Sequence, residues 1–156
     1  MGIKQWRLRN LYRVIDKEKK RTHLRFEPAQ TLMWNDTRGM SPLRYFVLKS
    51  RQMGVSTFWL LYWLDETIFG HNVKTGVLSH TKESLDYLMA IAHYAHESMP
   101  ESLRPTLGDD SKQHLSFPDV NSRFDVSLHF RSTALHNLHI SEWCLADDSD
   151  VRASLG

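Results

Sequence analysis

Residues Lys49-Ser50-Arg51-Gln52-Met53-Gly54-Val55-Ser56-Thr57 bring cations, a glycine and hydroxyls together in one short run. A compact apolar stretch, Arg44 to Leu48, precedes them and reads as a strand. From Ser56 to Phe69 the chain is apolar on nearly every face, the pattern of a helix buried in the centre of a domain. Strand, glycine-containing turn and helix beginning Ser-Thr is a context that can hold phosphate. The first N–H groups of a helix lack intrahelical partners, and the helix dipole favours an anion there. Gly54 would let the backbone approach the phosphates, Ser56 is placed to ligate Mg²⁺ with Thr57 as the adjacent option, and Lys49 and Arg51 could offset phosphate charge. The run departs from the pattern G-x-x-x-x-G-K-[ST]: Val55 stands where the lysine should follow Gly54, and Lys49 stands where the first glycine should be. On spacing alone, a Ser-capped buried helix with Lys49 and Arg51 solvated at its mouth accounts for the same residues.

The elements that must position this run can be read along the chain. Leu11 to Ile15 reads as a strand, Asp16 to Arg21 as a charged turn, and His23 to Phe26 as a returning strand. Pro28 opens a helix carrying Gln30, Leu32, Met33 and Trp34, which Gly39 to Pro42 breaks. Thr75 to Ser79 is a second buried strand. Thr81 caps a helix that lines up Leu85, Leu88, Met89, Ala92 and Ala95 and stops near Pro100. Leu115 to Phe117 and Phe124 to Phe130 read as a hairpin turning at Asn121-Ser122, and Leu138 to Ile140 as a last short strand running into Ser141-Glu142. Alternating strands and helices predict an α/β fold with a largely parallel central sheet, flanking helices and an N-terminal hairpin. The whole of 1–156 reads as one domain, with 1–43 as the hairpin and its following helix and 44–156 as the nucleotide-binding core.

Composition bounds the function. Hydrophobic residues make up 41% and charged residues 24%, the balance of a soluble globular protein, and the net charge of +2 is too small to announce a nucleic-acid binder. The single Cys144 rules out an internal disulfide and a cysteine metal cluster. Nothing resembles a secretory signal, and Phe58 to Leu64, the most apolar stretch, is too short to span a bilayer. The expectation is an intracellular protein with no membrane partner. His93 and His96 lie one helical turn apart and read as the polar side of their helix; with His129, His136 and His139 they form no recognisable ligand set. Asp147, Asp148 and Asp150 read as a solvated acidic run. The run Lys17 to Arg21 could touch DNA phosphates, but as a charged hairpin tip it reads as plain surface.

The loop Lys49 to Phe58 closely resembles the variant phosphate loop of phage terminase large subunits, in which the lysine has moved to the start of the loop: Lys-x-Arg-Gln-x-Gly-x-Ser-Thr. Further stretches are similar to the same family in the same order. Arg9 to Lys17 resembles its N-terminal hairpin, Phe26-Glu27-Pro28-Ala29-Gln30 its adenine-recognition segment, Gly76 to Thr81 the strand after the first helix, and Leu138 to Glu142 its Walker B strand. The resemblance covers nearly the whole chain and implies a P-loop NTPase-like ATPase domain that binds ATP and Mg²⁺. It implies that Lys49, Ser50, Arg51, Gln52, Met53, Gly54, Val55, Ser56 and Thr57 cradle the phosphates. Gln30 would pair with adenine through its amide, as amides do elsewhere. Lys49, Arg51 and Glu142 would be the catalytic groups, with Glu142 orienting or deprotonating the attacking water. Ser56 and, through water, Ser141 would hold Mg²⁺; Ser141 stands where the general pattern has Asp, which weakens that grip.

The resemblance further implies double-stranded DNA, a capsid portal and a small terminase subunit as partners, a homo-oligomer when intact, and a location in the host cytoplasm. The family continues with a coupling segment and a nuclease domain that these residues do not carry, so the fold is expected to be incomplete at the C-terminus. A non-catalytic remnant and a helicase-type ATPase are the competing expectations.

Overall fold

The computed structural model describes residues 3–16, 18–40, 42–48, 53–109, 111–130 and 134–141. Its centre is the helix that follows the loop. This helix, α3 (Val55–Phe69), is preceded by α1 (Ile3–Asn10), a hairpin of β1 (Arg13–Ile15) and β2 (Arg21–His23), and α2 (Pro28–Thr37). It is followed by β3 (Lys74–Leu78), α4 (Lys82–Glu97), β4 (His114–Phe117), β5 (Ser122–Ser127) and β6 (Asn137–Ile140). The last four strands form one sheet in the order β4-β5-β3-β6. β3 pairs in parallel with β5 and with β6, and β4 pairs antiparallel with β5. The fold is therefore mixed α/β with a mostly parallel sheet and packed helices.

The sheet has two unlike faces. Val77, Leu115, Phe117, Phe124 and Val126 join Phe58, Leu61 and Leu64 of α3 and Leu88, Met89 and Ala92 of α4 in one large core. Alternation along the strands sends Leu78, Leu138 and Ile140 the other way, where Phe130 and Leu135 fold over them. That cover lies directly on the backbone: a Cβ at Gly76 would stand 2.6 Å from Leu135 Cδ1. On the helical face, the Thr67 and Thr75 hydroxyls share a 2.7 Å hydrogen bond, and Asn137 Nδ2 donates to Thr75 Oγ1 at 3.3 Å, so α3, β3 and β6 are joined through one short polar chain.

The helix α1 departs from the sequence reading, which assigned no element before Leu11. Its residues Ile3 to Asn10 have little amphipathic pattern, and what holds it is a buried charge on α3. Asp65 is fully buried; Arg7 donates to its two oxygens at 2.9 and 2.7 Å, and Tyr12 Oη–H donates at 3.0 Å. Burial, then the Asp65 carboxylate, pushes the Tyr12 hydroxyl well above its ordinary value, so it stays a donor. The hydrogen bond to Asp65 likewise raises Arg7. Next along α3, Glu66 accepts from Lys4 Nζ at 2.6 Å, and the same ammonium lies 3.5 Å from the centre of the Tyr62 ring.

Several expected elements form close to where they were read. The hairpin strands are shorter and shifted, Arg13–Ile15 and Arg21–His23, because Leu11, Tyr12 and Leu24 are buried in the core. Pro28 opens α2, Thr81 caps α4 by accepting from Ser84 N at 3.1 Å, and Asn121 takes the left-handed conformation between β4 and β5. Two readings are corrected. Arg44 to Leu48 is no strand: it pairs with no described strand, Tyr45 packs on Trp59 at 5.7 Å, and Phe46 and Leu48 are 82% and 106% exposed. His96 is not on a polar side. It is 5% exposed, its Nε2 lies 2.9 Å from Pro105 O, and its ring meets Phe117. His93 is half-buried, with Nε2 3.3 Å from Ser111 O. No helix among the described residues is long and apolar enough to cross a membrane.

Replacing Asp65 with Ala would remove the shared acceptor of the part-buried Arg7 guanidinium and the buried Tyr12 hydroxyl. It is expected to lower stability by about 3–5 kcal/mol in a urea titration, whereas Glu18→Ala at the exposed pair with Lys20 should stay within about 0.5 kcal/mol. Burial lowers the His96 pKa, an effect its hydrogen bond to Pro105 only partly opposes. The unfolded chain therefore takes up that proton first as pH falls below about 6.5, and stability is present above that pH and lost below it. The fall in stability from about pH 7 to about pH 5.5 should be shallower in His96→Gln, whose amide can still donate to Pro105.

Candidate functional site

The chain enters α3 through Gly54, whose φ of +66° is left-handed and whose carbonyl accepts the first helical bond from Phe58 N at 3.0 Å. Glycine is required there twice over. The backbone conformation disfavours a side chain, and a Cβ would stand 2.7 Å from Gln30 Nε2. Gly54 has no side chain to cap α3, so the first N–H groups of the helix, at Val55, Ser56 and Thr57, which lack intrahelical partners, receive no acceptor from the cap residue. Val55 is buried, Ser56 and Thr57 are half-buried, and Met53 is 39% exposed.

Gln30 is the residue that ties this turn down. It is 3% exposed, so it is not the solvated residue that a helix N-terminus could have left it. Its Oε1 accepts from Glu27 N at 3.0 Å and its Nε2 donates to Gly54 O at 2.9 Å. The first bond closes the start of α2; the second spans 24 residues and joins α2 to the turn before α3. Around it, Phe26 packs edge-on to Phe58 at 5.3 Å and Trp34 contacts Tyr62 at 6.2 Å. The sequence carries a legible sign of the first bond, since Glu27-x-x-Gln30 has the spacing of a capping box. Nothing in it announces the second.

Chain direction places the turn relative to the sheet. Four residues, 70–73, connect the end of α3 to the start of β3, and α3 packs on β3, β5 and β6. Helix and strand must therefore run antiparallel, which puts Gly54 at the carboxyl ends of β3 and β6. Ligands bind at that edge of open α/β sheets. The same edge carries Ser79, whose N–H donates to Ser127 O at 2.9 Å, Thr81 at the start of α4, and Ser141, whose N–H donates to Leu78 O at 3.0 Å. Ser141 is 6% exposed.

The remaining predicted site residues, Lys49, Ser50, Arg51, Gln52 and Glu142, lie outside the described residues, as does the acidic run Asp147, Asp148 and Asp150. What the described structure brings together is Gln30, Gly54 and the first turn of α3, with Ser141 on the same edge of the sheet. What it does not bring is a paired strand feeding the loop. The chain matches no protein-family profile and no curated protein.

Gly54→Ala is expected to destabilise the fold by about 1–2 kcal/mol through its left-handed backbone alone, with a further penalty from the close approach to Gln30. In a Gln30→Ala background that further penalty should vanish. A double-mutant cycle by thermal melting that gives strictly additive effects would contradict the contact.

Proposed function

We propose that this chain is a P-loop-type ATPase domain that binds ATP with Mg²⁺ and serves as the motor of a phage terminase large subunit, driving double-stranded DNA into a procapsid. The observation that supports this reading is the glycine-led start of α3 at the carboxyl edge of a mostly parallel sheet, held in place by Gln30. Anion binding at such a helix start needs only backbone donors and a nearby cation.

In this reading Lys49 and Arg51 neutralise the β- and γ-phosphates, and the Ser50-to-Thr57 backbone cradles them. Ser56 ligates Mg²⁺, with Ser141 acting through water. Glu142 orients or deprotonates the attacking water. The Gln30 amide retains a second N–H and a second lone pair beyond its bonds to Gly54 and Glu27. Adenine recognition would use those while the amide continues to hold the turn. The chain's contribution to hydrolysis is positioning and charge stabilisation, since phosphoryl transfer to water needs little covalent help from protein.

A second reading, a nucleotide-binding module without turnover, is favoured by Arg44 to Leu48, which leads into the loop without joining the sheet. A loop not anchored to a strand would hold its cations less rigidly, and catalysis is more sensitive to that than binding.

A fluorescent ATP analogue with Mg²⁺ should bind the wild-type chain. Lys49→Ala should weaken that binding by about tenfold or more, the loss of roughly one charge-assisted contact, while leaving the thermal midpoint unchanged. No binding by the wild-type chain would sink both readings. Binding with no phosphate release, unaltered in Glu142→Gln, would leave only the module without turnover.

A further inference from the structure

The chain's charge is unevenly distributed. Residues 9–25 hold seven Lys or Arg against two acidic residues, a net +5, while the whole chain is only +2, so the rest of the chain is net acidic. The fold turns this segment into a surface. In the β1–β2 ribbon, Arg13 is opposite His23 and Ile15 is opposite Arg21, and paired residues share a face. All four are exposed, while Val14 and Thr22 between them point to the other side and are half-buried. Lys19 and Lys20 extend the exposed cations to the tip of the ribbon.

The two acids of the segment do not face this strip as free carboxylates. Asp16 Oδ1 accepts from Glu18 N and Lys20 N within the turn, and Glu18 is paired with Lys20 Nζ at 2.6 Å. At the base of the ribbon, Arg9, Asn10, His23, Leu24, Arg25 and Phe26 line an open cavity of about 360 Å³, with no acidic residue among the described residues of its wall. There the Arg9 guanidinium lies 4.6 Å from the centre of the Phe26 ring, and its buried Nε–H has no acceptor among the described residues.

We infer that the exposed face of the β1–β2 ribbon, with the Arg9–Arg25 cavity at its base, binds the phosphate backbone of duplex DNA. Several cations on one face, with their local carboxylates already engaged, meet the requirement for a polyanion whose charges repeat along a line. Arg9 and Arg25 in the cavity wall add cations beside the strip, and the few base-reading groups on the ribbon make the contact independent of sequence. The inference departs from the sequence reading of Lys17 to Arg21 as plain surface, because the fold sets Arg13 and His23 on the same ribbon face as Arg21 and puts Arg9 and Arg25 at its base. The choice of DNA as the polyanion rests on the proposed motor function, so nucleotide binding is measured separately.

A short fluorescein-labelled DNA duplex, titrated with the whole chain, should bind with an affinity that falls steeply as salt rises. Arg13→Gln with Arg21→Gln should weaken binding at low salt by about tenfold or more and reduce the slope of log affinity against log salt by about 2. Lys19→Gln with Lys20→Gln, at the ribbon tip, should act in the same direction. The exposed pair Arg104→Gln with Lys112→Gln makes the same change in net charge elsewhere and should leave binding as it was. Equal losses in the ribbon and control pairs, or no salt-dependent binding by the wild-type chain, would overturn the inference. Capture of phosphatidylserine vesicles with the duplex left unbound would assign the surface to a membrane and overturn it equally. Loss of ATP-analogue binding with duplex binding intact would count against the nucleotide reading alone.

Discussion

A carboxylate with no access to water organises the first half of this chain. Asp65 sits in the middle of α3, and an isolated charge there would be too costly to keep. Its partners come from far away in sequence: Arg7 at the end of α1 and Tyr12 at the approach to β1. Satisfying Asp65 therefore fixes where α1 lies and where the hairpin begins. The ribbon that carries Arg13 and Arg21, and the cavity beside Arg9, take their positions from that one acid. Such a triad adds little net stability over an apolar alternative, since replacing a buried ion pair by well-packed apolar groups is often neutral.

The other half of the architecture depends on a neutral group. Gln30 closes the start of α2 with its oxygen and holds the Gly54 carbonyl with its nitrogen. One side chain thus sets the distance between two helix starts, and the left-handed glycine is what allows so close an approach. The arrangement explains why an amide suits position 30 even before any ligand is considered.

Much of the fold could be read from the sequence because local chemistry specifies it. Pro28 and Thr81 start helices, Asn121 makes a turn, and the alternation at Phe124 and Val126 marks a strand with one buried face. The misses are places where distant partners decide. Ile3 to Asn10 lacks an amphipathic stripe, so its helix is visible only once Asp65 is known to need Arg7. Arg44 to Leu48 has the composition of a strand, but a strand also needs a neighbour, and composition does not provide one. His96 looked polar by spacing, yet the carbonyl of Pro105 makes its burial tolerable. Of the candidate site, Gly54 and the start of α3 were legible from residue type. The grip of Gln30 on Gly54 was not, because it spans two elements whose relative placement no local pattern encodes.

The polar chain from Thr67 through Thr75 to Asn137 has a mechanical meaning. Sliding β6 along β3 by one residue would turn Asn137 to the opposite side of the sheet and remove the donor that Thr75 receives. Intermediate offsets have no matching hydrogen bonds, so the alignment is discrete rather than adjustable. Thr67 extends the same lock to the helix, which ties the longitudinal setting of α3 to that of the strand leading to Ser141.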